Sequence, residues 1–279
     1  MIPPREQWAV QVDVTSACPR RCSNCTRPAV AHLSEPFFMP LQQFVQALEA
    51  LRPFVDQGRA RLGRQRVIGM IGGEPMCHPE FPELVRAMDG ILPPQGRGFW
   101  TGLRWEQSEY ADLIRATFHR GGYINRNLHH DRCYHQPVLV APCDVVGEPA
   151  ELERLIAACP LQAEWASAVT PKGFFFCEVA GALDMVFGGP GGLPVAPGVW
   201  QHDLSEFKTQ IDSWCHRCGV CLPLQGRLDK EMRDDVSQTN LEALRRLSSP
   251  RVLDGRFVEF AGALKEGAWS PLRYLRQEA

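Results

Sequence analysis

The chain has no run of about eighteen apolar residues, so no transmembrane helix is expected. Neither sign of charge dominates. Thirty Lys and Arg stand against thirty-two Asp and Glu, a net charge of −2, and nothing in that balance points to nucleic acid. The opening Met1-Ile-Pro-Pro-Arg-Glu6 lacks the charged and apolar regions of a signal peptide, and the chain carries no internal repeat and no low-complexity tail. Together these absences predict a cytoplasmic protein with no membrane partner. What the chain does have is cysteine: eleven in 279 residues, without a secretory signal. That usage points to a reducing compartment and metal ligation, not to a disulfide framework.

Three of the cysteines fall in Cys18-Pro-Arg-Arg-Cys22-Ser-Asn-Cys25, a C-x₃-C-x₂-C spacing. Three thiolates suit three irons of a [4Fe–4S] cube and leave the fourth iron open to a chelating ligand. A structural zinc would want a fourth protein ligand and paired C-x₂-C knuckles. The bland alternative is three unrelated buried thiols. Trp8 to Val14 just before alternates like a strand, so the loop leaves a strand's C-terminal end, where α/β folds build their sites. This strand and loop resemble the radical S-adenosylmethionine (SAM) enzymes, in which SAM chelates the open iron through its amino and carboxylate groups.

A second motif follows in order. Arg66 to Ile71 reads as a buried strand ending in Gly72-Gly73-Glu74-Pro75. By itself this is an ordinary turn, with glycines that allow a close approach to the backbone and a proline that fixes the exit. Its position matches the GGEP motif of the same family. The resemblance implies that Gly72, Gly73 and Glu74, with Pro75 completing the motif, contact the methionyl amino group of SAM. Helical periodicity at 41–55, 79–91, 107–118 and 148–158 alternates with strands expected at 96–101, 122–125, 136–141 and 164–169. The fold class expected is α/β, resembling the partial (β/α)₆ TIM-like barrel of the radical SAM core over 1–158, its last strand reaching about 170. A small auxiliary-cluster domain over 159–225 and a helical extension over 226–279 complete the expected organisation, with helices at 229–247 and 257–277. Asn125 to Gln136 is a polar loop at the sheet's C-terminal edge. Asn125 and Asn127 are its expected SAM contacts, and His129, His130 and His135 have no tidy ligand spacing.

The other cysteines cluster too. Cys159 ends a helix, Cys177 follows a turn and an apolar strand, and Cys215, Cys218 and Cys221 form C-x₂-C-x₂-C. Such a set suits either iron–sulfur or tetrahedral zinc. It resembles the twitch and SPASM domains of radical SAM enzymes, although Cys159-x₁₃-Gly173-x₃-Cys177 is one residue short in its last gap. The resemblance implies a second, auxiliary [4Fe–4S] cluster on Cys159, Cys177, Cys215 and Cys218, with Cys221 a spare thiol or a replacement for Cys159. Gly188 to Pro194 has no G-K-[ST] continuation and reads as a surface loop or lid. Family loops carry an aromatic residue where this chain has Asn24, so adenine contact is expected elsewhere, from Trp100 or Phe99.

The resemblance implies a radical SAM enzyme that cleaves SAM reductively and takes hydrogen from its substrate, with flavodoxin or ferredoxin as electron donor. An auxiliary cluster accepting an electron would give oxidation. A thiol returning hydrogen, Cys221 or Cys133 ahead of Cys77 and Cys143, would give an epimer. A small polar substrate (a sugar, aminocyclitol or nucleoside derivative) is favoured over a peptide, since the first strand begins by about residue 6. A non-enzymatic metal-binding module is the remaining alternative.

Overall fold

The computed structural model describes residues 1–126, 133–161, 166–262 and 264. In chain order it runs β1 (Ala9–Asp13), α1 (Ala29–His32), α2 (Leu41–Asp56), β2 (Val67–Ile71), α3 (Phe81–Ile91), β3 (Arg97–Thr101), α4 (Ala111–Phe118) and β4 (Tyr123–Arg126). Next come β5 (Tyr134–His135), α5 (Pro142–Val145), α6 (Pro149–Ala157), β6 (Ala166–Thr170), β7 (Gly173–Phe175) and α7 (Glu178–Phe187). The chain continues through α8 (Lys208–Trp214), β8 (Arg227–Leu228), β9 (Asp234–Val236), α9 (Gln238–Arg246), α10 (Pro250–Leu253) and β10 (Phe257–Glu259).

The central sheet has six strands in the order β4-β3-β2-β1-β6-β7, parallel except for β7. The fold is therefore mixed α/β. Strand β1 is buried along its whole length because it has neighbours on both sides: Ala9 lies opposite Val67 of β2 and Ala166 of β6. The loop after β1 thus leaves from the middle of the sheet, with the Gly72–Pro75 turn on one flank and the β6–β7 hairpin on the other.

Alternation along the strands sorts side chains to two faces. Val10, Val12, Ile68, Met70 and Phe99 join the main core with Phe44, Leu48 and Leu51 of α2 and Phe81, Leu84, Val85 and Met88 of α3. Those helix positions recur at three and four residues, the spacing that makes one apolar stripe. On the other face the Trp100 ring lies across Gly69 and Gly98, where added Cβ atoms would come within 1.6 and 2.3 Å of it. Trp8 and Tyr123 complete the cluster, with ring centroids 6.1 and 5.2 Å from Trp100.

Several expectations need correction. Residues 136–141 form no strand of this sheet. Pro137 has no N–H to give a ladder, and the carbonyls of Val138 and Leu139 accept from Gly219 N–H and the Asn240 side chain instead. The strand expected at 164–169 is β6, and it lies beside β1 instead of following a fifth strand outward. The helix expected over 229–247 is a 3-10 turn, Asp229–Glu231, then β9 and α9. Met232, at φ 52°, breaks the helical path. Phe257–Glu259 is a strand paired with β9, and residue 263 and residues 265–279 lie outside the described residues. The glycine run at 188–194 is fastened to the hairpin: Leu193 pairs with Phe174, and Gly191 N–H donates to the buried Asp184 carboxylate.

The packing around Trp100 makes a test with opposite signs. Gly69→Ala should lower unfolding free energy by about 1–3 kcal/mol, because the indole must leave its place. Gly90→Ala, in α3 with nothing within 4 Å of the new Cβ, should raise it by about 0.5–1 kcal/mol through helix propensity. Denaturant titration of both measures this, and a neutral Gly69→Ala would show that the ring is not held there.

Candidate functional site

The cysteine loop is built outward from β1. Val14 N–H continues the ladder to Ile71 O, and Thr15 Oγ1 donates to Phe37 O at 2.8 Å while accepting Ala17 N–H at 2.9 Å. The chain then turns through Cys18, Cys22 and Cys25. The backbone N–H groups of Arg20 and Arg27 point at the Cys18 and Cys25 sulfurs, both at 3.4 Å. Burial pushes the Cys18 and Cys25 thiols up to about 12, and burial with the nearby Asp229 charge raises Cys22. The Cys22 charge opposes ionisation of Cys18 and Cys25, and the Cys18 charge opposes that of Cys25. Burial favours the neutral thiols, whereas metal ligation takes the thiolate form, and N–H donors to sulfur are the kind of contact that a cluster's sulfurs accept.

The Gly72–Pro75 turn packs against the entrance of this loop. Gly73 N–H donates to Thr15 O at 2.6 Å and Glu74 N–H to Ala17 O at 2.8 Å. Cβ atoms on Gly72 and Gly73 would come within 2.3 Å of Thr15 O and 2.4 Å of Ala17 O. The glycines thus admit the chain's own backbone. Glu74 is buried; Thr101 Oγ1 and Gly102 N–H donate to its Oε2 at 2.8 and 3.1 Å. Burial raises its pKa against those hydrogen bonds. Pro75 is buried at the start of a 3-10 turn ending at Cys77.

Sequence reasoning missed the buried ion network beside the loop. The Arg27 guanidinium donates to Gln11 and to Glu178 (3.2 Å) and stands 3.8 Å from Asp13. All four side chains are buried. Burial pushes Asp13 up to about 6 although Arg27 opposes it. Gln11 and Asp13, two residues apart on β1, were the available signal. Also missed was Asp234, whose carboxylate receives Asn24 N–H at 2.6 Å, Arg251 Nε at 2.8 Å and a hydrogen bond with His32 Nε2 at 3.0 Å.

The second cysteine group converges. Cys159, Cys177, Cys215, Cys218 and Cys221 line one apolar cavity of about 30 Å³, with Ile156, Leu161, Phe176 and Trp214 among the other walls. Helix α6 delivers Cys159, the β6–β7 hairpin Cys177, and the turns after α8 the remaining three. Gly219, between the last two, has Pro137 O only 2.0 Å from where a Cβ would stand. Burial pushes Cys177 up to about 12 and also raises Cys215, Cys218 and Cys221, each also opposed by the charge of neighbouring thiolates. Among the described residues, no group of three or more His, Cys, Asp or Glu is drawn tightly enough to hold a single metal ion. Soft thiols in excess around an apolar cavity fit an iron–sulfur cluster or a zinc ion by donor type.

The remaining candidates scatter. Asn125 lies on β4, half-buried, on the face that carries Trp100; Asn127, His129 and His130 lie outside the described residues. Cys133 Sγ sits 3.7 Å from His135 Nε2, and His135 Nδ1 meets Ser23 O at 2.8 Å. A carbonyl only accepts, so Nδ1 carries the proton of the neutral ring and Nε2 faces the thiol as an acceptor. Burial lowers the His135 pKa, favouring that neutral ring. Cys77 and Cys143 are exposed. Phe99 cannot meet a ligand on the Trp100 face: it is fully buried on the helix side, stacked on Phe118 at 5.4 Å. Trp100 is half-buried on the opposite face.

No protein-family model matches the chain, and no curated protein does. Among solved structures it is similar to a crystal structure of BtrN in complex with AdoMet and 2-DOIA, at a TM-score of 0.43 and 17% identity, over 76% of this chain and 92% of that one. Among the described residues no helix is long and apolar enough to cross a membrane.

The Asp234 site makes a pH prediction. Burial alone would raise this carboxyl, but hydrogen bonds and charge from His32 and Arg251 hold it down to about 2. A depressed folded-state pKa adds stability that is present above the unfolded value near 4 and is lost as pH falls toward 2. Acid titration should show about 2 kcal/mol lost across that window, and Asp234→Asn should flatten it. An identical acid limb in the variant would mean that Asp234 is not the group responsible.

Proposed function

We propose that this chain is a radical SAM enzyme. The observation that carries the reading is the contact between two motifs: the C-x₃-C-x₂-C loop leaves β1, and the Gly72–Pro75 turn at the end of β2 is hydrogen-bonded to its entrance. When bound, a reduced [4Fe–4S] cluster with SAM supplies a 5′-deoxyadenosyl radical able to take hydrogen from an unactivated carbon. Cys18, Cys22 and Cys25 would hold three irons. The Gly72–Pro75 edge lies beside them, with Glu74 as the carboxylate that would meet an ammonium group, and Asn125 lies on β4, beyond β3.

The cavity of Cys159, Cys177, Cys215, Cys218 and Cys221 supports a second, auxiliary cluster, and with it a dehydrogenase acting on a small polar substrate of the sugar, aminocyclitol or nucleoside kind. Four thiols suffice for a cube and the fifth is then a spare. Epimerisation is the second reading. It is favoured by the Cys133–His135 pair, in which a thiol hydrogen-bonds to a neutral imidazole close to the cysteine loop. The chain would draw its electrons from a flavodoxin- or ferredoxin-type donor.

Anaerobic iron and sulfide quantitation tests this, on wild type and on a Cys18/Cys22/Cys25→Ala variant. The reading expects about eight irons falling to about four. About four falling to none, with zinc recovered, would remove the auxiliary cluster and the dehydrogenase with it. No iron in wild type would remove the enzyme altogether.

A further inference from the structure

The C-x₃-C-x₂-C loop has no regular structure, so the polar groups of residues 21–24 need partners from elsewhere. His135 meets Ser23 O and Asn24 Nδ2, and the other long-range partners come from the segment between Asp229 and Arg251, more than two hundred residues away in sequence. Ser23 N–H donates to Asp229 O at 2.9 Å, and Arg233 N–H to Ser23 Oγ at 3.0 Å. Asn24 exchanges two hydrogen bonds with Asp235, its Oδ1 accepting Asp235 N–H and its Nδ2 donating to Oδ2, both at 2.8 Å. Asn24 also stands at φ 49°, a left-handed conformation that asparagine tolerates and a bulky aromatic does not.

The centre of this contact is a buried ion pair. Asp234 and Arg251 are each 3% exposed. Arg251 donates through Nε to Asp234 Oδ2 at 2.8 Å, and its two terminal nitrogens reach Arg21 O at 3.1 and 3.2 Å and Cys22 O at 2.7 Å. Asp234 in turn takes Asn24 N–H. One guanidinium fork and one carboxylate therefore fix Arg21, Cys22 and Asn24, on either side of Ser23. Apolar packing could join two segments at less desolvation cost; what a buried, fully bonded fork adds is fixed geometry.

We propose that the Asp234–Arg251 pair is a positioning device for the thiol loop, holding Arg21 to Asn24 in the ligating shape before any metal is bound. The proposal rests on the reading of this loop as a cluster site, but it concerns the loop's shape and can be decided without iron. The experiment is competitive iodoacetamide labelling of reduced, metal-free, full-length protein, read cysteine by cysteine by peptide mass spectrometry, for wild type, Arg251→Met and Arg251→Lys. Cys22 should label about 10-fold faster in Arg251→Met, with Cys159, Cys177, Cys215, Cys218 and Cys221 unchanged. Arg251→Lys, which keeps the charge but not the fork, should fall between. If Arg251→Met does not fold, the lysine variant decides alone.

In the iron-loaded protein, four irons should pass to a chelator about 10–100-fold faster in the variants, as for other groups that orient metal ligands, while the remaining irons keep the wild-type rate. Unchanged Cys22 labelling overturns the proposal. So does equal acceleration at every cysteine, which would show general loosening. A wild type that takes up no iron would overturn the enzyme reading and leave the labelling result to decide the positioning role.

Discussion

The buried Arg27 guanidinium is the interaction on which the rest of the site depends. It lies two residues after Cys25 and bonds to Glu178, the residue after Cys177, while Gln11 and Asp13 bring in the central strand. Two cysteine groups far apart in sequence are thereby tied to one charge. Removing one partner from such a buried pair typically costs about 3–5 kcal/mol, because the other is left uncompensated in low dielectric. The network is also imperfect. Among the described residues Arg27 Nε and Nη1 have no hydrogen-bond partner, and Asp13 is pushed up to about 6 in spite of its cationic neighbour. A fold that tolerates these costs is holding its charges where packing alone would not put them.

Close backbone approach is the second constraint. At Gly72, Gly73 and Gly219 the atom that a Cβ would meet is a carbonyl oxygen of another segment, at 2.3, 2.4 and 2.0 Å. Each of these glycines sits beside a cysteine group and seals it against a neighbouring loop: 15–17 in the first case, 137–140 in the second. The glycine positions thus say which loops must touch. They do not by themselves say where a ligand enters.

Much of this was legible in the sequence. Trp8 to Val14 reads as a strand, the apolar stripes of α2 and α3 read as helices, and the cysteine spacing marks both thiol groups, because each signal is local. What failed was non-local. The apolar run 138–141 looks like a strand, yet its carbonyls belong to Gly219 and Asn240, partners that nothing nearby in the chain announces. The charged run 229–247 looks like one solvated helix. In fact Asp234 and Asp235 are buried because the cysteine loop needs their carboxylates. Phe99 and Trp100 were equivalent as aromatic neighbours until strand alternation sent one to the core and the other to the open face.

The two thiol groups are held in different ways, and the difference bears on what a metal would do at each. Around Cys18, Cys22 and Cys25 the backbone is restrained by groups that are not thiols: Asp234, Arg251, Asn24 and the Gly72–Pro75 edge. These restraints act on the loop's backbone besides the N–H groups that point at its sulfurs. Around Cys159 to Cys221 the walls are apolar and the thiols are themselves part of the lining. There burial and the charge of neighbouring thiolates both oppose ionisation of each thiol. A metal entering that cavity must displace protons and replace packing with ligation in the same event, so loading and local folding are one equilibrium. At the first site, on the proposed reading, loading would be a proton release from a frame already built.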